Sequence, residues 1–217
     1  MKAKIQYLCL LLFAGCSASS QSCPEGINLL PMYARAQKCP EQVQADKEFL
    51  AECDEQFPNR VLASQHHANK GWEYFEQRQI DPAIKRFNQA WLLDSTNAVV
   101  YWGFASVLGR RQQYRASVSL FKKSLAMNPK EANAWRDMAV SYGQMFFQTK
   151  DIALLHKSID ALKTCVKLDP QNALGYGGLV GAYAYFVQKD SARKYLAIAD
   201  RLNPSAVNPE VRKTVTE

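Results

Sequence analysis

The stretch Ala83-Ile-Lys-Arg-Phe87-Asn-Gln-Ala90 spaces a small residue, an aromatic and a second small residue at i, i+4 and i+7. Those positions share one face of a helix. The spacing returns as Ser117, Phe121 and Ser124, as Ser158, Leu162 and Cys165, and as Ala192, Leu196 and Ala199. Five residues beyond each closing small residue stand Ser95, Pro129, Pro170 and Pro204, inside the turn phrases LLDSTN, AMNPKE, KLDPQN and RLNPSA.

Upstream of each block lies a second helical phrase: HHANKGWEYF, VYWGFASVLG, AWRDMAVSYG and GYGGLVGAYAY. Gly71, Ala105, Ala139 and Val180 are its small positions, and Tyr74, Leu108, Tyr142 and Tyr183 follow three residues later. The units run 64–97, 98–131, 132–172 and 173–206, a period of 34 residues with seven more in the third. A short helix pair cannot bury its apolar face alone, so pairs stack, and the spacing predicts an all-α superhelix with a concave groove. Small residues let the paired helices approach, and the Asp/Asn-Pro phrases stop the second helix.

This pattern resembles the tetratricopeptide repeat over about two-thirds of the chain. Ser95 stands where the others have proline, which leaves Asp94 and Asn97 to hold that turn. The extra residues of repeat three fall around Gln148-Thr-Lys-Asp151, with Asp151 placed to N-cap a longer second helix. Residues 40–63 hold an amphipathic helix with Pro40 in its first turn and a stripe of Val43, Phe49, Leu50 and Cys53, read as an N-terminal cap. Residues 207–217 are too short for a full capping helix and are expected to fray.

The N-terminus reads as an export signal. Lys2 and Lys4 precede an apolar run from Ile5 to Gly15, well short of the ~20 residues that span a bilayer. Phe13-Ala14-Gly15-Cys16 resembles the lipobox of bacterial lipoproteins, which implies cleavage after residue 15 and acylation of Cys16. Phe13 stands where leucine is usual, and ordinary cleavage near Ala18-Ser19-Ser20 is the rival reading. Ser17, in place of a retention aspartate, favours the outer over the inner membrane of a Gram-negative envelope. Residues 16–39 then form a lipidated terminus and loop. Two of the 27 basic residues lie in the signal, so 25 face 20 acidic ones and the net charge is +5.

Cys165 occupies a small core position. Of the remaining cysteines, Cys39 and Cys53 would lie ~20 Å apart along one helix, too far to bond. Export favours disulfides, and Cys23 with Cys39 is the preferred pair, leaving Cys53 in the helix interface. His66 and His67 are adjacent, so their side chains diverge by ~100° on a helix, and no metal site is expected. No Gly-rich phosphate loop, GxSxG elbow or HExxH helix occurs, so no catalytic residue is assigned and no cofactor or small-molecule substrate is expected.

The resemblance implies that the first helix of each pair lines the groove. By register its face carries Gln65, Ala68, Trp72 and Phe75, then Trp102 and Ser106, then Asn133, Arg136 and Val140, then Gly177, Gly181 and Tyr185. Trp72, Phe75, Trp102, Arg136 and Tyr185 are the candidate partner-binding residues. Their aromatic character suits an apolar helix or extended segment of a protein partner, unless the N-terminal segment covers them. The family's Lys/Asn/Arg carboxylate clamp is not carried over, because Ala68 and Trp72 hold the matching places. Arg110, Arg111, Arg115, Lys122 and Lys123 form a candidate basic patch for anionic lipid, glycan or an acidic partner. No recognition-helix motif suggests nucleic acid. The sequence therefore points to a lipid-anchored interaction module, with a structural spacer in an envelope complex as the alternative.

Overall fold

The computed structural model describes residues 22–186 and 188–217; the signal segment, the lipobox and Cys16 lie outside the described residues. Among the described residues the chain is all-α, without strands. After α1 (Pro40–Gln56) come four antiparallel pairs: α2 (Arg60–Glu76) with α3 (Ile80–Leu93), and α4 (Ala98–Arg110) with α5 (Tyr114–Met127). They continue as α6 (Ala132–Thr149) with α7 (Ile152–Leu168), and α8 (Ala173–Tyr185) with α9 (Lys189–Leu202); α10 (Pro209–Thr216) closes the stack.

Sequence chemistry sets the helix starts. Asn59, Asn97, Glu131, Asp151 and Asn172 each turn a side-chain oxygen onto a free N–H in the first turn of α2, α4, α6, α7 and α8. At the turn that lacks proline, Asp94 accepts from the Thr96 N–H at 2.8 Å, while the Asn97 amide reaches Ser64 Oγ at 2.9 Å. Lys150 ends α6 in a left-handed conformation (φ 59°), and Asp151 at once begins the 17-residue α7.

Close helix approach explains the small positions. Phe87 is fully buried between α2 and α4, and a Cβ on Gly71 would stand 2.5 Å from its ring. The small hydroxyls also tie neighbouring helices: Ser64 donates to Ala90 O (2.9 Å), Ser117 to Ala105 O (2.8 Å) and Ser158 to Ala139 O (2.8 Å). Each is a buried donor satisfied by a backbone carbonyl across a helix interface.

Two parts of the chain depart from expectation. The C-terminal residues do not fray: Val207 and Val215 are buried with Val180, Ala192 and Leu196, so α10 covers the last pair as a terminal cap. Val211 adds a partly buried contact, and Arg212 ties the helix back to Asp200 (2.8 Å) and to Pro204 O (2.7 Å). At the other end, Phe49, Leu50 and Cys53 of α1 pack against Ala63 and Leu93, but Val43 stays 39% exposed, so the apolar stripe is shorter than its spacing implied.

Residues 22–39 make a second N-terminal layer against α3. Cys23 and Cys39 are joined by a disulfide with Cα atoms 5.1 Å apart. Closing such a loop contributes roughly 3 kcal/mol in the loop-entropy description. Between the cysteines, Met32, Tyr33, Ala34 and Arg35 form a left-handed turn with φ near +54°. Asn88, fully buried on α3, receives the Tyr33 N–H (3.4 Å) and donates to Asn28 O and Leu30 O (3.0 Å each).

Candidate functional site: the concave groove

The first helices of repeats one to three line a concave groove of about 1010 Å³. Its apolar wall is the Trp72–Trp102 pair, with ring centroids 4.5 Å apart, extended by Phe75 at 5.4 Å from Trp72. Phe87 backs Trp72 edge-on at 5.6 Å from the core side, which fixes that indole in place. Val140, 57% exposed, continues the apolar surface onto α6.

A polar relay adjoins this wall. Trp102 Nε1 donates to Asp137 Oδ2 at 2.9 Å, and Asp137 Oδ1 accepts two bonds from Arg136 (2.9 and 2.8 Å). Arg136 also donates to Asn133 Oδ1 (2.9 Å), which accepts from Asn172 at 3.1 Å. The Arg136 charge is therefore matched inside the protein, and its guanidinium acts first as a brace for Trp102. Arg110 differs: its guanidinium sits 5.5 Å from the Phe75 ring and makes no ion pair among the described residues. Two groups of groove-lining residues, Trp72 Nε1 and Ser106 Oγ, are buried without a hydrogen-bond partner among the described residues.

Trp72, Phe75, Trp102 and Arg136 are thus brought together, with Ser106, Asn133 and Val140 beside them. Other expected members are not. Ala68 is 1% exposed and belongs to the core, because the tilt of α2 turns it onto α3 and α4. Gly177 lies against the Ala206 carbonyl, where a Cβ would clash with backbone, so the C-terminal segment occupies that face. Tyr185 packs on Phe146 (4.8 Å) and Phe147 (6.1 Å) beside the lengthened end of α6 and does not line the groove. Among the described residues, none of the N-terminal segment lines the groove either. Asp137, the hub of the relay, escaped sequence reasoning because it follows no 34-residue pattern and an acid on a helix reads as solvated.

The basic patch is dispersed. Arg110 faces the groove, whereas Arg111 is bound to Asp81 (2.9 Å) and to Leu29 O, pinning the N-terminal segment. Lys123 lies over the Tyr101 ring at 4.2 Å, and Lys122 borders a different cavity. Arg115 remains an exposed cation on α5. The five residues do not form one surface.

His66 and His67 meet edge to face at 5.4 Å, and His67 Nε2 lies 3.8 Å from Cys53 Sγ in the α1–α2 interface. Burial, with Arg86 and His66 adding positive charge, lowers the His67 pKa to about 4. The folded state therefore resists a proton that the unfolded chain accepts near pH 6.5. Stability is full above about pH 6.5 and declines as pH falls towards 4, by about 1–3 kcal/mol in total. Urea unfolding at pH 7 and pH 4.5 should show this loss, and His67→Gln should shrink it; an equal acid loss in that variant would assign the effect elsewhere.

Among the described residues, no helix is long and apolar enough to cross a membrane. Cys23, Cys39 and Glu41 lie close together, but the disulfide removes both thiolates as metal ligands.

Comparison with known proteins rests on structure. No protein-family model matches the chain, and no curated protein matches it in sequence. Among solved structures, MamA superposes with a TM-score of 0.55 at 19% identity, over 78% of this chain and 97% of that one. PilF of Pseudomonas aeruginosa gives 0.60 at 17% identity, over 72% and 67%. YrrB, described as a TPR protein with an unusual peptide-binding site, gives 0.56 at 14% identity, over 77% and 79%. At these identities the likeness establishes the architecture alone: the fold is that of the tetratricopeptide-repeat solenoids.

Proposed function

We propose that the protein is a lipid-anchored binding module, held at the outer membrane of a Gram-negative cell envelope through Cys16, which presents its concave groove to a segment of a partner protein. The observation that carries this reading is the Trp72–Trp102 wall, continued by Phe75 and by the exposed Val140 along one concave groove. An aromatic and aliphatic surface inside a concave groove is matched by a chain segment that brings apolar side chains. Binding, not catalysis, is the chemistry such a groove supports. No cofactor, nucleic acid or small-molecule substrate enters the proposal. The dispersal of the basic residues favours this groove over a cationic face as the docking surface.

The test is affinity capture from detergent-solubilised envelopes, with wild type beside Trp72→Ala and Trp102→Ala. Each substitution is expected to reduce partner recovery at least tenfold while circular dichroism stays helical, the scale of loss for an interface anchor. Unchanged recovery in both would return the protein to the role of a spacer. The anchor is tested separately: Cys16→Ser should leave the membrane fraction at high salt, and retention there would overturn lipidation.

A further inference from the structure

The convex side of the solenoid has three junctions between successive second helices, and two of them are filled by a tyrosine. At the α3–α5 junction Tyr33 of the N-terminal segment lies against Trp91 (6.4 Å between rings), near Tyr101 and under Lys38. At the α7–α9 junction Tyr195 packs against Tyr176 (6.2 Å) and stacks on Tyr183 (5.6 Å).

Among the described residues, the middle junction, between α5 and α7, is open. Trp135, Met138 and Tyr142 form the floor of a cavity of about 380 Å³. Trp135 and Tyr142 hold the repeat positions of Tyr176 and Tyr183, on which Tyr195 rests in the last junction. The position of Tyr195 itself is taken here by Ala161, and that of Lys123, which closes over Tyr101, by Thr164. Two short side chains thus leave the ring-sized site vacant where the neighbouring junctions supply their own occupant.

The rim shows how an occupant would differ from Tyr33. Asn88, which both accepts from and donates to the N-terminal segment, is replaced at this junction by Lys122. A lysine only donates. Lys157 lies on the same rim, and neither lysine makes an ion pair among the described residues. Asp160 is the one acid among the lining residues.

We propose that this middle convex junction is a second binding site, which takes an aromatic side chain from an extended segment of a partner protein with an acidic residue beside it to meet Lys122 and Lys157. The ring repeats what Tyr33 and Tyr195 do in the flanking junctions, and the carboxylate replaces the N–H that Asn88 would have received. The site lies outside the concave groove and stands or falls independently of it.

The test uses the full chain and two fluorescein-labelled peptides. One has the sequence of residues 27–35, Ile-Asn-Leu-Leu-Pro-Met-Tyr-Ala-Arg; the other carries Asn28→Glu and Leu30→Glu in that peptide. The acidic peptide is expected to bind saturably, at least fivefold more tightly than the parent, and to shift the Trp135 indole N–H resonance. Lys122→Glu should weaken it at least tenfold, and Ala126→Trp, which fills the cavity from an exposed position, should abolish binding. Trp102→Ala should leave it unchanged. Binding that survives Ala126→Trp in a helical protein, or that is lost in Trp102→Ala, would overturn the proposal. So would equal affinity for both peptides, or no saturation at millimolar concentration.

Discussion

Phe87→Ala is expected to lower stability by about 3–5 kcal/mol, the range for truncating a fully buried aromatic. Phe87 has no solvent exposure and fills the space between α2 and α4, where Gly71 and Gly103 leave room for its ring and for nothing more. Its loss would strip the first two repeats of their shared contact and withdraw the support behind Trp72. A solenoid is stabilised by each unit and by its nearest-neighbour interfaces. The loss should therefore divide urea unfolding, with helices α1 to α4 melting first and the later repeats near their wild-type midpoint. Gly103→Ala should destabilise as well, because its Cβ would enter the Phe87 ring. Combining it with Phe87→Leu should cost less than the two changes summed, as expected for side chains that share one space. A midpoint change worth under about 1 kcal/mol for Phe87→Ala would show that the interface closes over the cavity.

The same packing explains why the repeats could be read in the sequence. Helices that approach closely demand small residues at fixed intervals, so Gly71, Ala105, Ala139 and Val180 recur where the backbone geometry repeats. The groove was legible to the extent that it follows this register, as Trp72, Trp102 and Arg136 do. It was misread where something outside the register intervenes. Gly177 is covered by Ala206, in a C-terminal segment whose anchoring valines, Val207 and Val215, carry no periodic signal. Tyr185 turns towards Phe146 and Phe147 because the residues added in repeat three, shared between α6 and α7, carry α6 on to Thr149 beside it. Asn88 was the least legible. It holds a place where the next repeat has an exposed lysine, and only the tertiary fold shows that the N-terminal segment lies over it.

That segment bears the second large effect. Asn88→Leu keeps the branching and heavy-atom count of the side chain and removes all three hydrogen bonds, leaving the Tyr33 N–H and the carbonyls of Asn28 and Leu30 without their partner. Each unpaired buried group costs about 1–3 kcal/mol. The four left-handed residues Met32 to Arg35 hold a conformation that disfavours L-residues by roughly 1–2 kcal/mol each, and it persists only while surrounding contacts impose it. Losing Asn88 therefore releases strain as it removes attraction, and the segment should leave α3 although the disulfide still ties its ends. Cys23 is exposed but Cys39 is only 7% exposed while the segment is docked, so attack by a thiol reductant on the Cys39 sulfur should be roughly tenfold faster or more in the variant, the rise expected when local opening becomes easier. Proteolysis should begin between residues 24 and 39, and Arg111 should lose its hold on Leu29 without any change in the repeats beyond α5. Wild-type reduction kinetics together with an uncut segment would show that Arg111 and the Lys38–Tyr33 contact hold it without Asn88.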